Sequence, residues 1–213
     1  MYCHIIKRTL DILVSLLAFP IFLLLCLVVG PLIWVEDHGP IFYNAPRLGR
    51  NGRIFKMYKF RSMYVNAPDI RNNDGSTFNS EDDPRVTRIG RVLRKTSIDE
   101  IPQILNILKG DMSLIGPRPD LPDHRKLYQG EQTEKLLVRP GVTGYNQAYF
   151  RNSVEWDVRL EHDVYYVRNL TFWFDVKIFF RTIWCVLNRR NVYIAETNAG
   201  EKEEIWDKVG SSH

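Results

Sequence analysis

From Ile12 to Trp34 the chain reads ILVSLLAFPIFLLLCLVVGPLIW, 23 residues without a charge. As a helix this run is about 34 Å long at about 1.5 Å per residue, enough to cross a bilayer. It is apolar on every face, unlike a helix of an ordinary soluble domain. It is too long for the apolar part of a secretory signal, and no A-x-A site follows it. Two features argue against a simple crossing. Pro20, near the middle, removes a backbone donor and kinks or breaks a helix. Lys7 and Arg8 precede the run, while Arg47, Arg50, Arg53, Lys56, Lys59 and Arg61 follow it. Basic flanks favour the cytoplasmic side, and here both flanks are basic. A re-entrant helix-break-helix that enters and leaves by one face satisfies both. The expected first unit is residues 1–35, with its break near Pro20.

A second apolar stretch, LTFWFDVKIFFRTIWCVL from Leu170 to Leu187, contains Asp175, Lys177 and Arg181. Each costs about 2.5–3.5 kcal/mol near a bilayer centre, so this segment is not expected to cross. It reads either as an amphipathic helix lying in the interface or as a core helix of the soluble part. Elsewhere the composition is globular, with 25% charged residues and a net charge of +4 over 213 residues, the size of one ordinary domain. Cys3, Cys26 and Cys185 make no CxxC pair, and no two histidines stand in HxxxH spacing. That pattern gives no disulfide framework and no zinc signature.

After the anchor, IFYNAPRLGRNGRIFKMYKFRSM alternates in character around Asn51-Gly52, a hairpin signal. Its basic residues read as a solvated face, or as a surface for anionic headgroups or a phosphorylated ligand. No nucleic-acid recognition motif accompanies them. Residues 65–86 are rich in Asn, Asp and Ser and read as a loop, with Glu81-Asp82-Asp83 before Pro84 taken as a turn rather than a metal cluster. VTRIGRVLRKTS reads as a short basic helix, and the chain from Asn191 onward as a polar tail.

The stretch KTSIDEIPQILNILKGD places Asp99 and Glu100 side by side at a helix start. Ser97 with Glu100 spells a capping box, and acidic residues complement a helix N-terminus. Pro102 weakens that reading: counted from a Ser97 cap it is the fifth helical residue, where its missing N–H costs a hydrogen bond. A start at Asp99 moves Pro102 among positions whose N–H groups have no intrahelical partner, and leaves both carboxylates at the helix mouth. Two like charges at about 4 Å repel by about 4 kcal/mol at an effective dielectric of about 20. A divalent cation relieves this, and carboxylates with phosphate oxygens are usual Mg²⁺ ligands. Downstream, Arg118 stands between Pro117 and Pro119, a stiff mount suited to bidentate phosphate binding.

Four segments carry a resemblance: YKFRSM (58–63), DPRVTRIGRVLRKTSIDEIPQILNILKGDMSLIGPRP (83–119), VRPGVTGYNQ (138–147) and HDVYYVRNLTFWFDVKIF (162–179). Together they resemble the monotopic polyprenyl-phosphate phosphoglycosyl transferases, the bacterial sugar transferase family, over about Ile5 to Arg190. The resemblance implies a mixed, mostly helical α/β catalytic domain over 36–190 on the cytoplasmic face of a bacterial inner membrane. A polar tail over 191–213 follows, in the minimal form without a large extra domain. The implied reaction moves a sugar-1-phosphate from a UDP-sugar to undecaprenyl phosphate, releases UMP and begins a glycoconjugate. It implies Mg²⁺, Asp99 as nucleophile of a covalent phosphosugar intermediate, and Glu100 as metal ligand or proton acceptor. Arg94, Arg118 and Asp175 fall on functional positions, with Lys59 and Arg61 as further phosphate-binding candidates and Asp175 as a supporting residue. Membrane lipid is an implied partner, homodimerisation stays open, and nucleic acid is not expected. The chain departs from the family pattern in having Phe19 before Pro20 where Ser is common. It also departs in the bulkier loop after Gly144, where Gln147 and Arg151 keep their chemistry and are the nucleotide-sugar candidates. A glycosyltransferase releasing UDP and a non-catalytic lipid-binding scaffold are the competing readings.

Overall fold

The structure, a computed structural model, describes residues 2–71, 78, 80, 82–150 and 154–187. Helix α1, Lys7–Asp37, runs without interruption through Pro20 and Pro31, so the expected break near Pro20 is not an interruption of the helix. Among the described residues it is the one helix long and apolar enough to cross a membrane. Its buried residues are Asp11, Ser15, Phe22, Val29, Gly30 and Ile33, mostly four or seven apart and so on one face. Phe22, Val29 and Ile33 pack with Phe60, Leu93 and Ile104. The opposite face is exposed and apolar, Leu17 at 79% and Leu27 at 75%.

Both ends of α1 are tied to the same body. Arg8 donates to the carbonyls of Ile107 at 2.6 Å and Leu108 at 3.1 Å. At the other end Asp37 forms a two-pronged ion pair with Arg61. Glu36 accepts from the backbone N–H groups of Arg88 at 2.6 Å and Ile89 at 3.2 Å. These belong to the start of α2, Arg88–Thr96, so the end of the apolar helix caps the next one.

Strands β1, Phe42–Leu48, and β2, Ile54–Phe60, form the expected antiparallel hairpin. Asn51 and Gly52 both take positive φ at its turn, the conformation that Asn and Gly tolerate best. Among the described residues the outer edge of β2 has no strand partner. Buried Asn106 supplies one: its Oδ1 accepts from Tyr58 N at 2.9 Å and its Nδ2 donates to Lys56 O at 2.7 Å. Asn106 lies in α3, Ile104–Lys109, which ends at Gly110 with φ of 91°.

Between α2 and α3 the chain is not a plain α-helix start. Ser97 is left-handed and ends α2, and its side chain makes no cap hydrogen bond. A 3₁₀ segment, Ile98–Gln103, follows and carries Asp99 and Glu100 in its first turn with Pro102 inside. The capping box is therefore absent, but Ser97 still occupies the N-cap position and Pro102 is the fifth residue of the segment, so the expected start at Asp99 is not the one that forms. Further on, β3, Ser113–Ile115, and β4, Gly141–Thr143, form a short parallel pair. Around it lie α4, Tyr145–Tyr149, α5, Trp156–Arg168, and α6, Phe172–Leu187.

Helix α6 has one buried side and one exposed aromatic side. Asp175, Ile178 and Cys185 are buried, while Trp173 is 71% and Phe180 65% exposed. In the 65–86 loop, buried Asp83 pairs with Arg85 at 2.7 Å. That is a structural ion pair, and Glu81 lies outside the described residues.

Candidate active site

Lys59 reaches the carboxylate pair because of strand alternation. Phe55 and Met57 on β2 point into the core, and Lys59, two residues on, shares their face at its open end. Its ammonium lies 2.7 Å from Glu100 Oε1 and 3.7 Å from Asp99 Oδ2. Arg61 is the next residue in that alternation, but β2 ends at Phe60. The Arg61 guanidinium turns to Asp37, the Pro40 carbonyl at 2.5 Å and the Met63 carbonyl at 3.3 Å. Arg61 fastens α1 to the hairpin and does not join the carboxylate pair.

Arg94 arrives through Gly90. A Cβ on Gly90 would stand 2.0 Å from the Ser62 carbonyl oxygen, so only glycine lets α2 lie this close to the end of the hairpin. One turn later Arg94 Nε donates to Ser62 Oγ at 2.9 Å, and its charge acts on Asp99.

Arg118 is mounted on a backbone held from three sides. Gly116 N donates to Thr143 O at 2.8 Å, Gly141 N to Pro117 O at 2.9 Å and Leu48 N to Asp120 O at 2.9 Å. Below it, Asp120 accepts from Tyr128 Oη at 2.8 Å and Lys135 Nζ at 2.6 Å. Lys135 also meets Asp163 at 2.7 Å, and all three charged groups are buried. From this mount Arg118 Nη2 stands 3.4 Å from Glu100 Oε1. The Asp120–Lys135–Asp163 group was not legible as a site, although Asp120 directly follows the Pro-Arg-Pro turn.

The two neighbouring carboxylates differ electrostatically. Burial pushes Asp99 above the ordinary carboxylate range, and the Glu100 charge adds to this against the pull of Lys59, Arg94 and Arg118. Burial also acts upward on Glu100, but the contacts with Lys59 and Arg118 outweigh it and hold Glu100 down at about 2. Glu100 is the permanent anion of the pair, and Asp99 is the less stabilised, more basic one.

That contrast predicts opposite stability effects in metal-free buffer. Glu100 has a folded value of about 2 against an ordinary 4.5. Its contribution is present above the unfolded value and is lost as pH falls toward 2. Glu100→Gln is expected to lower stability at pH 7 by on the order of 1–3 kcal/mol. Asp99 has a raised folded value, so its favourable contribution is lost as pH rises through that value. Asp99→Asn is therefore expected to raise the thermal midpoint at pH 7, with the gain shrinking on acidification. Thermal unfolding of both variants across pH checks this; two shifts of the same sign at pH 7 would refute it.

Two carboxylates with a cation already standing near both, the Lys59 ammonium, make a donor set that fits Mg²⁺. Such a site uses one or two carboxylates and completes its shell with water and phosphate oxygens. Among the described residues no cluster of three or more His, Cys, Asp or Glu side chains is placed for a metal.

Of the remaining sequence candidates, Asp175 is engaged elsewhere. Asp175 accepts from Lys7 Nζ at 2.6 Å, Tyr166 Oη at 2.7 Å and Tyr2 Oη at 2.5 Å, joining α1 and α6. Both amide atoms of Gln147 are buried without a hydrogen-bond partner among the described residues. Arg151 lies outside the described residues.

A family model described as bacterial sugar transferase matches residues 2–189. The chain belongs to the bacterial sugar transferase family. Within it, the chain is similar to an undecaprenyl-phosphate galactose phosphotransferase of Salmonella typhimurium, 40% identical over 205 residues, 88% of this chain and 42% of that one. A UDP-N-acetylgalactosamine-undecaprenyl-phosphate N-acetylgalactosaminephosphotransferase of Aeromonas hydrophila is 42% identical over 188 residues, 85% of this chain and 44% of that one. The exopolysaccharide production protein ExoY of Sinorhizobium fredii is 40% identical over 198 residues, 88% of either chain. The chain thus spans less than half the length of the first two relatives and most of the third. The matched region contains every member of the carboxylate group described above.

Proposed function

We propose that this chain transfers a sugar-1-phosphate from a UDP-sugar to undecaprenyl phosphate and releases UMP, through a phosphosugar ester on Asp99. The observation that carries the reading is the buried Asp99–Glu100 pair ringed by Lys59, Arg94 and Arg118, in a family whose relatives are named for this kind of transfer. An Asp99 Oδ lone pair attacks the β-phosphorus of the donor, and the bond from that phosphorus to the bridging oxygen breaks. UMP departs with the electron pair, leaving the sugar phosphate on Asp99. A phosphate oxygen of the lipid then attacks the same phosphorus and frees the Asp99 carboxylate.

The residues divide this work by their electrostatics. Asp99, held above the ordinary carboxylate range by burial, is the more basic and more nucleophilic oxygen donor. Glu100 stays anionic and orients Lys59 and Arg118, whose charges lower the cost of bringing a carboxylate against an anionic diphosphate. When bound, Mg²⁺ would be held by Asp99 and Glu100 and would neutralise phosphate oxygens. Splitting the transfer into two steps means the polar donor and the apolar acceptor need not be bound together.

Membrane placement follows the same reading. Because the Arg8 and Glu36–Asp37 ends of α1 dock on one body, the outer face of α1 can enter a bilayer while both ends stay on one side. The exposed aromatic face of α6 suits the interface beside it. We place residues 1–35 at the membrane, with α1 as one continuous helix whose two ends stay on one side, and the catalytic domain, 36–190, on the cytoplasmic face of the inner membrane.

The test is product identity. The chain in lipid nanodiscs is given a panel of UDP-sugars, Mg²⁺ and undecaprenyl phosphate, and the released nucleotide is separated. UMP is expected from at least one donor. UDP release would assign a glycosyltransferase, and attachment without turnover a scaffold.

A further inference from the structure

The basic hairpin holds a cation that the carboxylate group does not use. On β1, Tyr43, Ala45 and Arg47 lie opposite Lys59, Met57 and Phe55 of β2, on the same sheet face. Lys59 sits at one end of that face beside Asp99 and Glu100. Arg47 sits at the other end, four residues of strand away, on the order of 13 Å. The Arg118 loop runs alongside, tied to the strand by Leu48 N to Asp120 O at 2.9 Å.

Arg47 is half-buried, and among the described residues no carboxylate lies within ion-pair distance of it. Its hydrogen bond goes to its neighbour's carbonyl, Pro46 O, at 2.9 Å. Burial first, and then the Arg118 charge, hold Arg47 below the usual arginine value against the opposing pull of Tyr43, Asp120 and Asp69. Arg118 reaches Glu100 at 3.4 Å while Arg47, on the strand its loop is tied to, reaches no carboxylate among the described residues, an arrangement that an anion between the two would complete.

We propose that Arg47 is a second phosphate-binding arginine, which with Arg118 holds the diphosphate of the nucleotide-sugar on the leaving-group side of Asp99. This rests on the transferase reading and adds the residue that receives the departing UMP phosphate. Lys59 and Arg118 meet the phosphate under attack, and Arg47 lies beyond Arg118, where the bridging oxygen and the α-phosphate extend. A guanidinium there gains strength as charge develops on the leaving group.

The test measures UDP and uridine binding to the full chain in neutral phosphatidylcholine nanodiscs with Mg²⁺. Wild type, Arg47→Gln and Arg47→Lys are compared, each with its thermal midpoint and its attachment to anionic vesicles. Arg47→Gln is expected to weaken UDP binding by about 10- to 100-fold, the loss of a charge-assisted phosphate contact. Uridine binding should not change, Arg47→Lys should recover part of the loss, and the thermal midpoint should not fall, since a repulsion is removed. Equal UDP affinity in Arg47→Gln and a binding wild type would overturn the role of Arg47 and leave the transferase reading standing. A wild type that binds no UDP would overturn both. Parallel loss of UDP and uridine with a lower midpoint would make Arg47 structural. Loss confined to anionic vesicles would assign it to lipid headgroups; either result overturns the proposal.

Discussion

Asp99→Asn is expected to lower turnover by at least about 10⁴-fold, the scale on which enzymes lose activity when a nucleophile is removed. The substitution keeps the shape of the side chain and one oxygen, so the 3₁₀ turn carrying it should persist. What disappears is the anionic lone pair. Burial has kept that carboxylate more basic than its neighbour, and Lys59 at 3.7 Å is the only ion-pair contact it has among the described residues. The same variant should be thermally more stable at pH 7. Activity and stability therefore move in opposite directions at one position, which separates loss of chemistry from loss of fold. Initial rates of UMP release and thermal midpoints of one preparation check both; an active variant would remove Asp99 from the mechanism.

Lys135→Met is expected to cost about 3–5 kcal/mol of stability, the usual penalty for breaking a buried ion pair from one side. Lys135 is 4% exposed and its ammonium is within 2.7 Å of both Asp120 and Asp163. Methionine fills a similar volume but leaves two carboxylates facing each other out of water. Adding Asp163→Asn should return part of the loss, because residues in one charged network are not additive. Denaturant unfolding of the single and double variants measures this. A near-neutral Lys135→Met would show that water reaches the cluster. Since Asp120 anchors the turn that carries Arg118, residual activity in the single variant should fall further than its folded fraction.

How much of this was legible in the sequence depended on distance along the chain. Local signals read well. Asn51-Gly52 gave the hairpin; the capping box is absent, but the segment starts at Ile98 and not at the Asp99 that Pro102 suggested, because a 3₁₀ turn tolerates the proline there. The basic run before Ser97 became α2. Of the two further phosphate-binding candidates, Lys59 and Arg61, only Lys59 reaches the carboxylate pair. The two share a face on paper, but the strand stops between them and Arg61 is drawn away by Asp37, 24 residues earlier in the chain. Pro20 read as a break, yet helix α1 continues through it, with packing from Phe60, Leu93 and Ile104 holding its inner face. The Asp120–Lys135–Asp163 group joins three segments that carry no common pattern, and only folding brings them together. The same holds for Arg47, which looked like one more charge on a solvated strand until the Arg118 loop was found beside it.

The most direct test of the central claim is the intact mass of the chain after brief incubation with a UDP-sugar and Mg²⁺ in the absence of the lipid acceptor. A gain equal to one phosphosugar is expected, mapped to the peptide containing Asp99, lost on adding undecaprenyl phosphate and absent from Asp99→Asn. Turnover of that donor with no adduct at any quench time, or an adduct on another residue, would contradict Asp99 as the covalent centre.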